Sequence, residues 1–458
     1  MNRPAHWSRH LPEGVDTSSI DLLARRSLPA AWAAIWRDDP DRPVLRDVDG
    51  TWWTRGALDE VTSDRARRLL AAGLRAGDKV VVSGSPSADL VAAHCAALRA
   101  GLVVVPVNDA YTEREVGVIV DDARPRAAIA SRGDMRAWLR AAGVATVTDV
   151  SVELPDRADD VELDRSGPDD PALLPYTSGT TGRPKGALLS HGNLLASAEA
   201  ILLAWRWSAA DRLVLCLPLF HMHGLGVGVH GTLLSGATVV LHERFDPARV
   251  IAEAAAGATM FFGVPTMYSR LVDAQGAEAL SSLRLCVSGS APLSADLHAR
   301  IEATCGQRVI ERYGMTETVM LVSNPYEGDR RAGAVGIPFP GVELRIDPRS
   351  SEIEVRGPNV FAGYFERPDA TTESFTDDGW FRTGDVGEVD DDGYVSIVGR
   401  AKELIISGGY NVYPREIEDL LRAQPGVVDA AVVGTPSEEW GEVVTAFVEA
   451  PDDVDVDA

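Results

Sequence analysis

Residues 176–186 read Tyr176-Thr177-Ser178-Gly179-Thr180-Thr181-Gly182-Arg183-Pro184-Lys185-Gly186. The eleven positions hold three glycines, four aliphatic hydroxyls and one lysine. Glycine lets a backbone turn tightly and approach a ligand closely. Successive N–H groups in such a turn converge on an anion. The hydroxyls add donors and Lys185 adds a compact positive charge. A loop of serine, threonine and glycine alone would read as a polar surface turn. With Lys185 at its end it reads as a polyphosphate-binding loop. The spacing is not Gly, four residues, then Gly-Lys-Ser/Thr, because Pro184 precedes the lysine and Gly186 follows it. The largely apolar Pro171-Ala172-Leu173-Leu174 before the loop predicts a buried strand, and Gly186 to Ser190 after it a second. A helix is expected to start at His191-Gly192-Asn193 and to run from Leu195 to Leu203.

The remaining sequence sets the frame for that loop. A chain of 458 residues exceeds one hydrophobic core and calls for at least two domains. Its net charge of -24 disfavours nucleic acid and anionic membranes as partners, so anionic ligands need local cationic pockets. The cysteines (Cys95, Cys216, Cys286, Cys305) lack metal or redox spacing and read as buried free thiols of a reducing compartment. No apolar run approaches the ~18 residues of a membrane span. No apolar leader opens the chain, so a cytoplasmic enzyme is expected.

Lys79 to Ser83 and Leu102 to Pro106 are β-branched runs flanking a helical stretch, Ala88 to Ala100. That order predicts a parallel sheet with helices on its faces. Further strands are expected at 127–130, 144–147, 212–216, 238–241, 260–264, 283–288 and 309–313. Helices are expected at 28–36, 57–72, 225–234 and 248–256. From Gly336 the pattern alternates, as in Val342 to Ile346 and Glu352 to Val355, which predicts half-exposed antiparallel strands. A last α+β unit begins near Gly399, with strands at 403–407, 427–434 and 445–449 and a helix at 414–423.

Three more stretches carry chemistry. Pro218-Leu219-Phe220-His221-Met222-His223-Gly224 puts two imidazoles on a turn after a strand, as a carboxylate pocket or as packed core. Arg312-Tyr313-Gly314-Met315-Thr316-Glu317 offers an aromatic ring for a purine and a hard carboxylate suited to Mg²⁺. Asp385, closing Gly379-Trp380-Phe381-Arg382-Thr383-Gly384-Asp385, can accept both hydroxyls of a ribose or sit in a plain turn.

In this order and spacing, these motifs resemble the adenylate-forming superfamily of acyl-CoA synthetases, adenylation domains and luciferases, over essentially residues 30–450. The resemblance implies an α/β fold: a large N-terminal domain (1–399) of stacked mixed sheets with helices and a smaller antiparallel β subdomain, then a short α+β C-terminal domain (400–458). It implies ATP, Mg²⁺ and coenzyme A. ATP would be held by Thr177, Ser178, Gly179, Thr180, Thr181, Gly182, Lys185, Ser290, Ala291, Pro292, Glu311, Arg312, Tyr313, Gly314, Met315, Thr316, Asp385 and Arg400. By the same resemblance, Lys185, His221, Thr316 and Glu317 are catalytic, with Thr316 at the α-phosphate and Glu317 on the metal. Lys402 would be the hinge, and Ser407, Gly408 and Gly409 would line the CoA tunnel.

At a finer level, Phe262 to Arg270, Val287 to Leu293, Glu311 to Met320 and Asn324 to Gly333 look like malonyl-CoA synthetases. Malonate or methylmalonate is then the expected substrate, its carboxylates met by His221, Arg270, Ser288 and Met315. A second carboxylate needs a buried partner, which Arg270 could supply unless it pairs with Asp273. The family's closing Gly-Lys motif does not follow Glu442, and Lys402 is the last lysine. The expectation is therefore a shortened C-terminal domain, from either a truncated or a naturally short form, weak in adenylation but competent in thioester formation. Two alternatives stand beside this reading: transfer to an amine or carrier-protein thiol, and a non-catalytic nucleotide- or carboxylate-binding homologue.

Overall fold

The structure, a computed structural model, describes residues 5–177, 184–407, 410–422, 424–437 and 440–451. Valine-rich runs form the expected parallel strands. A six-stranded sheet has the order Leu189–Ser190, Pro171–Leu173, Val103–Val107, Lys79–Ser83, Ala127–Ala130, Thr146–Thr148. A nine-stranded sheet runs Ile337–Pro338, Val322–Ser323, Ile310–Tyr313, Leu285–Ser288, Met260–Gly263, Arg212–Leu215, Thr238–Leu241, Pro43–Arg46, Trp52–Thr54. Its central strands are parallel and its edges antiparallel.

One apolar core joins residues of both sheets to the helices Leu28–Asp38, Ala88–Arg99 and His191–Ala204. The helix Ala88–Arg99 is buried on every side, as its alanine-rich sequence allows. Alternating residues build the four-stranded antiparallel sheet Glu343–Ile346, Glu352–Arg356, Phe381–Val389, Val395–Arg400. A last sheet orders Tyr410–Val412, Ile405–Ser407, Gly441–Glu449 and Asp429–Ser437, with the helix Pro414–Arg422 beside it. The α/β class, the large mixed-sheet part, the antiparallel subdomain and the small C-terminal α+β unit all stand as expected. The four cysteines are free and buried. Among the described residues, no helix is long and apolar enough to cross a membrane.

Three local differences bear on the site. The helix expected over 225–234 is a π-helix, His223–Val229, followed by an α-helix, His230–Ser235. Val227 N–H reaches back five residues to Met222 O (2.9 Å). A Cβ on Gly224 would lie 2.3 Å from Pro218 O, so only glycine lets this turn close against the strand before it. The strand expected over Gly186 to Ser190 is split. Lys185–Gly186 pairs with Tyr176–Thr177, whereas Leu189–Ser190 joins the six-stranded sheet. Asp385, which could have occupied a turn, lies within the strand Phe381–Val389 and is in register with Arg400.

Candidate active site

The parallel strands of the larger sheet deliver their chemistry at their C-terminal ends, the usual place for ligands in such sheets. Ser288 ends one strand, Glu311, Arg312 and Tyr313 end the next, and the turn through Gly314 to Glu317 follows. A Cβ on Gly314 would meet Val319 O at 2.0 Å, so the turn requires glycine. Ser288, Glu311, Arg312, Tyr313 and Gly314, with Ser290, Ala291, Pro292, Asp385 and Arg400, line a cleft of about 740 Å³ whose far wall includes Pro414, Arg415 and Val433 of the C-terminal unit.

At one end of the cleft the charges are matched. Tyr313 donates its phenol proton to Asp385 Oδ2 (2.5 Å), and Arg400 Nε lies 2.9 Å from Asp385 Oδ1. Burial raises the Asp385 carboxyl above its usual range, against the opposing pull of Arg400. Glu311 is buried in the adjoining wall. Its Oε1 accepts from Leu293 N–H and its Oε2 from Gly333 N–H, both at 3.2 Å. Desolvation outweighs these bonds and pushes its pKa up to about 7.

Toward the other end the charge is unmatched. Arg312 is buried, and its only hydrogen bond to a side chain among the described residues runs from Nη2 to Ser290 Oγ (3.3 Å). Its Nε is buried without a partner, and no carboxylate among the described residues pairs with it. Burial drives its pKa down to about 9, so it still carries its charge at neutral pH. Ser290 holds a left-handed backbone (φ 68°) and lies 3.4 Å from His223 Nδ1. His223 is buried, stacks on Phe262, and is kept neutral by burial and by Arg312.

His221 lies exposed on the preceding turn, its ring against Phe220 (centroids 4.2 Å), with partial desolvation lowering its pKa. Of the two histidines in the motif, His223 is thus the one joined to Ser290 and Arg312. Arg270 is not brought to the cleft. Tyr268 and Leu271 occupy the buried side of the helix Pro265–Val272, so Arg270 emerges on the outer side, 5.0 Å over the Phe245 ring. Asp273, its alternative partner, pairs with Arg300 instead (2.6 Å).

A third group adjoins the cleft. Glu317 is buried and accepts a 2.8 Å hydrogen bond from Tyr364 on Oε1; burial raises its pKa. Lys185 Nζ lies 5.1 Å from the centroid of the same tyrosine ring. A buried carboxylate with no salt bridge among the described residues suits a divalent cation. Mg²⁺ commonly takes one or two carboxylates and completes its shell with water and substrate phosphate. Met315 and Thr316 are half-buried in the turn before Glu317. Lys402 is exposed in the short 3-10 turn Ala401–Glu403, and Ser407 ends the strand Ile405–Ser407. Ser178, Gly179, Thr180, Thr181, Gly182, Gly408 and Gly409 lie outside the described residues.

In the sequence, Arg312 groups with the ATP-binding residues; its burial without a carboxylate partner among the described residues emerges only from the structure, although an arginine inside a strand of a buried parallel sheet is a usable signal. Tyr364 left none, since only the fold brings it to Glu317.

The AMP-binding enzyme family matches residues 32–365 and its C-terminal domain matches residues 416–457, so the chain belongs to that family. Among its relatives, sulfoacetate–CoA ligase of Cupriavidus necator is 39% identical over 94% of this chain and 88% of its own. Feruloyl-CoA synthase of an Amycolatopsis species is 38% identical (89% and 86%), and malonate–CoA ligase of Arabidopsis thaliana is 34% identical (81% and 68%). Among solved structures, ATP-bound MatB from Rhodopseudomonas palustris superposes with a TM-score of 0.88 at 39% identity, over 94% of this chain and 90% of that one.

Proposed function

We propose that this protein is an ATP- and Mg²⁺-dependent acid–CoA ligase whose acid carries a second anionic group, with malonate or methylmalonate the leading candidates. The acid carboxylate attacks the α-phosphorus of ATP and pyrophosphate departs, leaving an acyl-adenylate. The CoA thiol then attacks the acyl carbon, a base takes the thiol proton, and AMP leaves. Asp385, Tyr313 and Arg400 are suited to the adenosine moiety, and Lys185 and Thr316 to the phosphates. Glu317 would hold Mg²⁺, which when bound spreads the charge developing on the phosphates. Between the half-reactions the C-terminal unit, residues 400–458, would turn about Lys402 and bring Ser407, Gly408 and Gly409 to the CoA thiol.

The observation that carries the substrate class is the unpaired guanidinium of Arg312. A buried cation without an anion is costly, and a substrate that supplies the anion recovers that cost on binding. Sulfoacetate and malonate both bring a second anion, as the names of two relatives suggest, whereas a ferulate side chain does not. The test is thioester formation from ATP and CoA with malonate, methylmalonate, sulfoacetate, acetate and ferulate. The dianionic acids should exceed acetate and ferulate by at least ~100-fold in kcat/KM, as expected when a buried polar partner is otherwise left unpaired. Equal rates with acetate, or preference for ferulate, would overturn the substrate class. Pyrophosphate release without thioester would overturn CoA as acceptor.

A further inference from the structure

The segment Phe361-Ala362-Gly363-Tyr364-Phe365 touches both the strand that carries Lys185 and the turn that carries Glu317. Ala187 and Tyr364 form an antiparallel bridge. Phe365 N–H donates to Gly186 O (2.8 Å) and Leu188 N–H to Gly363 O (3.2 Å). This pairing fixes Tyr364 beside the exit of the phosphate loop. Three residues earlier, Phe361 N–H donates to Glu317 O (2.9 Å), which fixes the other end of the segment to the turn. The Phe361 ring packs edge-on against the Tyr364 ring, with centroids 4.9 Å apart.

The Tyr364 side chain then makes two contacts of different kinds. Its hydroxyl donates to Glu317 Oε1 (2.8 Å), while its ring face lies 5.1 Å from Lys185 Nζ. Burial and the neighbouring Glu317 raise the phenol pKa, so it stays a donor throughout the working pH range. Glu317 has two oxygens and about four lone-pair sites. A donor fixed on Oε1 orients the carboxylate and leaves Oε2 for another ligand.

We propose that Tyr364 is a positioning residue: it holds the Glu317 carboxylate aimed for the divalent cation, and it seats the Lys185 ammonium on its ring toward the phosphates. This rests on the reading of Glu317 as the Mg²⁺ carboxylate and of Lys185 as a phosphate contact. The two roles separate chemically. The hydroxyl is what reaches Glu317, and the ring face is what reaches Lys185.

Tyr364→Phe removes the hydroxyl and keeps the ring, whereas Tyr364→Leu removes both. The Mg²⁺ concentration for half-maximal pyrophosphate release should rise about tenfold in Tyr364→Phe, the scale of losing a partner that orients a metal ligand. Its KM for ATP at saturating Mg²⁺ should stay parental. Tyr364→Leu should show the same Mg²⁺ shift together with a KM for ATP raised about threefold, because a cation–π contact that solvent still reaches is weak. Calorimetric titration with a non-hydrolysable ATP analogue, with and without Mg²⁺, supplies a readout independent of turnover. The Mg²⁺-dependent gain in affinity should shrink in Tyr364→Phe, while metal-free binding stays parental. In a Glu317→Gln background the Phe substitution should add nothing. Parental Mg²⁺ dependence in Tyr364→Phe, or a shift that persists without Glu317, would overturn the inference alone. A parent chain that fails to bind the analogue would overturn the nucleotide reading, and this inference with it.

Discussion

Arg312 and Arg400 face one cleft under opposite conditions. The Arg400 side chain is half-exposed and sits 2.9 Å from Asp385, so its charge is answered within the fold. Arg312 is only 5% exposed and meets a serine hydroxyl and a neutral histidine environment, with no carboxylate among the described residues. A compensated pair at a ligand site contributes shape and hydrogen bonds, and its loss is moderated by solvent. An uncompensated buried cation contributes discrimination, because any ligand without the matching anion leaves it stranded. Under the proposed reading, the paired end would serve binding and the unpaired end would serve choice among acids.

The comparison breaks most decisively at Arg312. Arg312→Met should reduce kcat/KM with malonate by a hundredfold or more, since the loss of one partner of a buried charge pair is typically worth about 3–5 kcal/mol. Acetate should lose little or even gain, so the ratio of the two acids measured on parent and variant is the direct check. Parallel losses on both acids would return Arg312 to a structural role.

Glu311, in the wall next to Arg312, tests the same principle with the opposite charge. Its folded pKa of about 7 lies above the ordinary glutamate value of 4.5. Between those two values the folded chain holds a proton that the unfolded chain has released, so this group lowers stability as pH rises from about 4.5 to about 7. Glu311→Gln should therefore gain stability relative to the parent across that window, by at most about 3 kcal/mol at ~1.4 kcal/mol per unit, and hold a constant difference above it. Denaturant unfolding of both proteins at several pH values reads the difference. A difference independent of pH would show that the two backbone donors already keep Glu311 ionised.

Asp385→Asn probes the compensated end. The geometry of an acceptor remains but its charge is lost, and Arg400 stays solvated. The KM for ATP should rise about tenfold, the scale of one or two hydrogen bonds to an ionised group, while selectivity among acids stays parental. A change in the acid preference would show that the two ends are not independent.

The smallest effect is expected at Arg270. Its guanidinium stacks on Phe245 outside the cleft. Arg270→Ala should alter kcat/KM with malonate by less than about twofold, the range of an exposed cation–π contact. A large loss confined to dianionic acids would instead make Arg270 the acid-reading cation, as its sequence context suggested.

The legible part of the sequence was the part governed by local period and local composition. Lys79–Ser83, Ala127–Ala130 and Thr238–Leu241 match the expected strands to the residue, because short apolar runs between glycine, proline and polar breaks have few alternative structures. The Arg312 to Glu317 stretch and Asp385 stand out because their order and spacing after the phosphate loop resemble the family's motifs, whereas each alone would read as a plain turn. Local pattern failed where contacts over long separation decide. The π-helix at His223–Val229 depends on how closely Gly224 approaches Pro218. The outward phase of Arg270 depends on which side of its helix is buried.

By itself, the sequence determined the α/β class, the order of strands and helices along much of the chain, and the motifs that mark the family. Each of these follows from side-chain identity and spacing within a few residues. The tertiary structure decided which arginine faces an unmatched pocket, which histidine is joined to it, and that Tyr364 stands between Lys185 and Glu317. Those facts depend on burial and on distances between residues tens to hundreds of positions apart. A charge is costly or harmless according to the atoms folded around it, and that environment is set only once the sheets have packed.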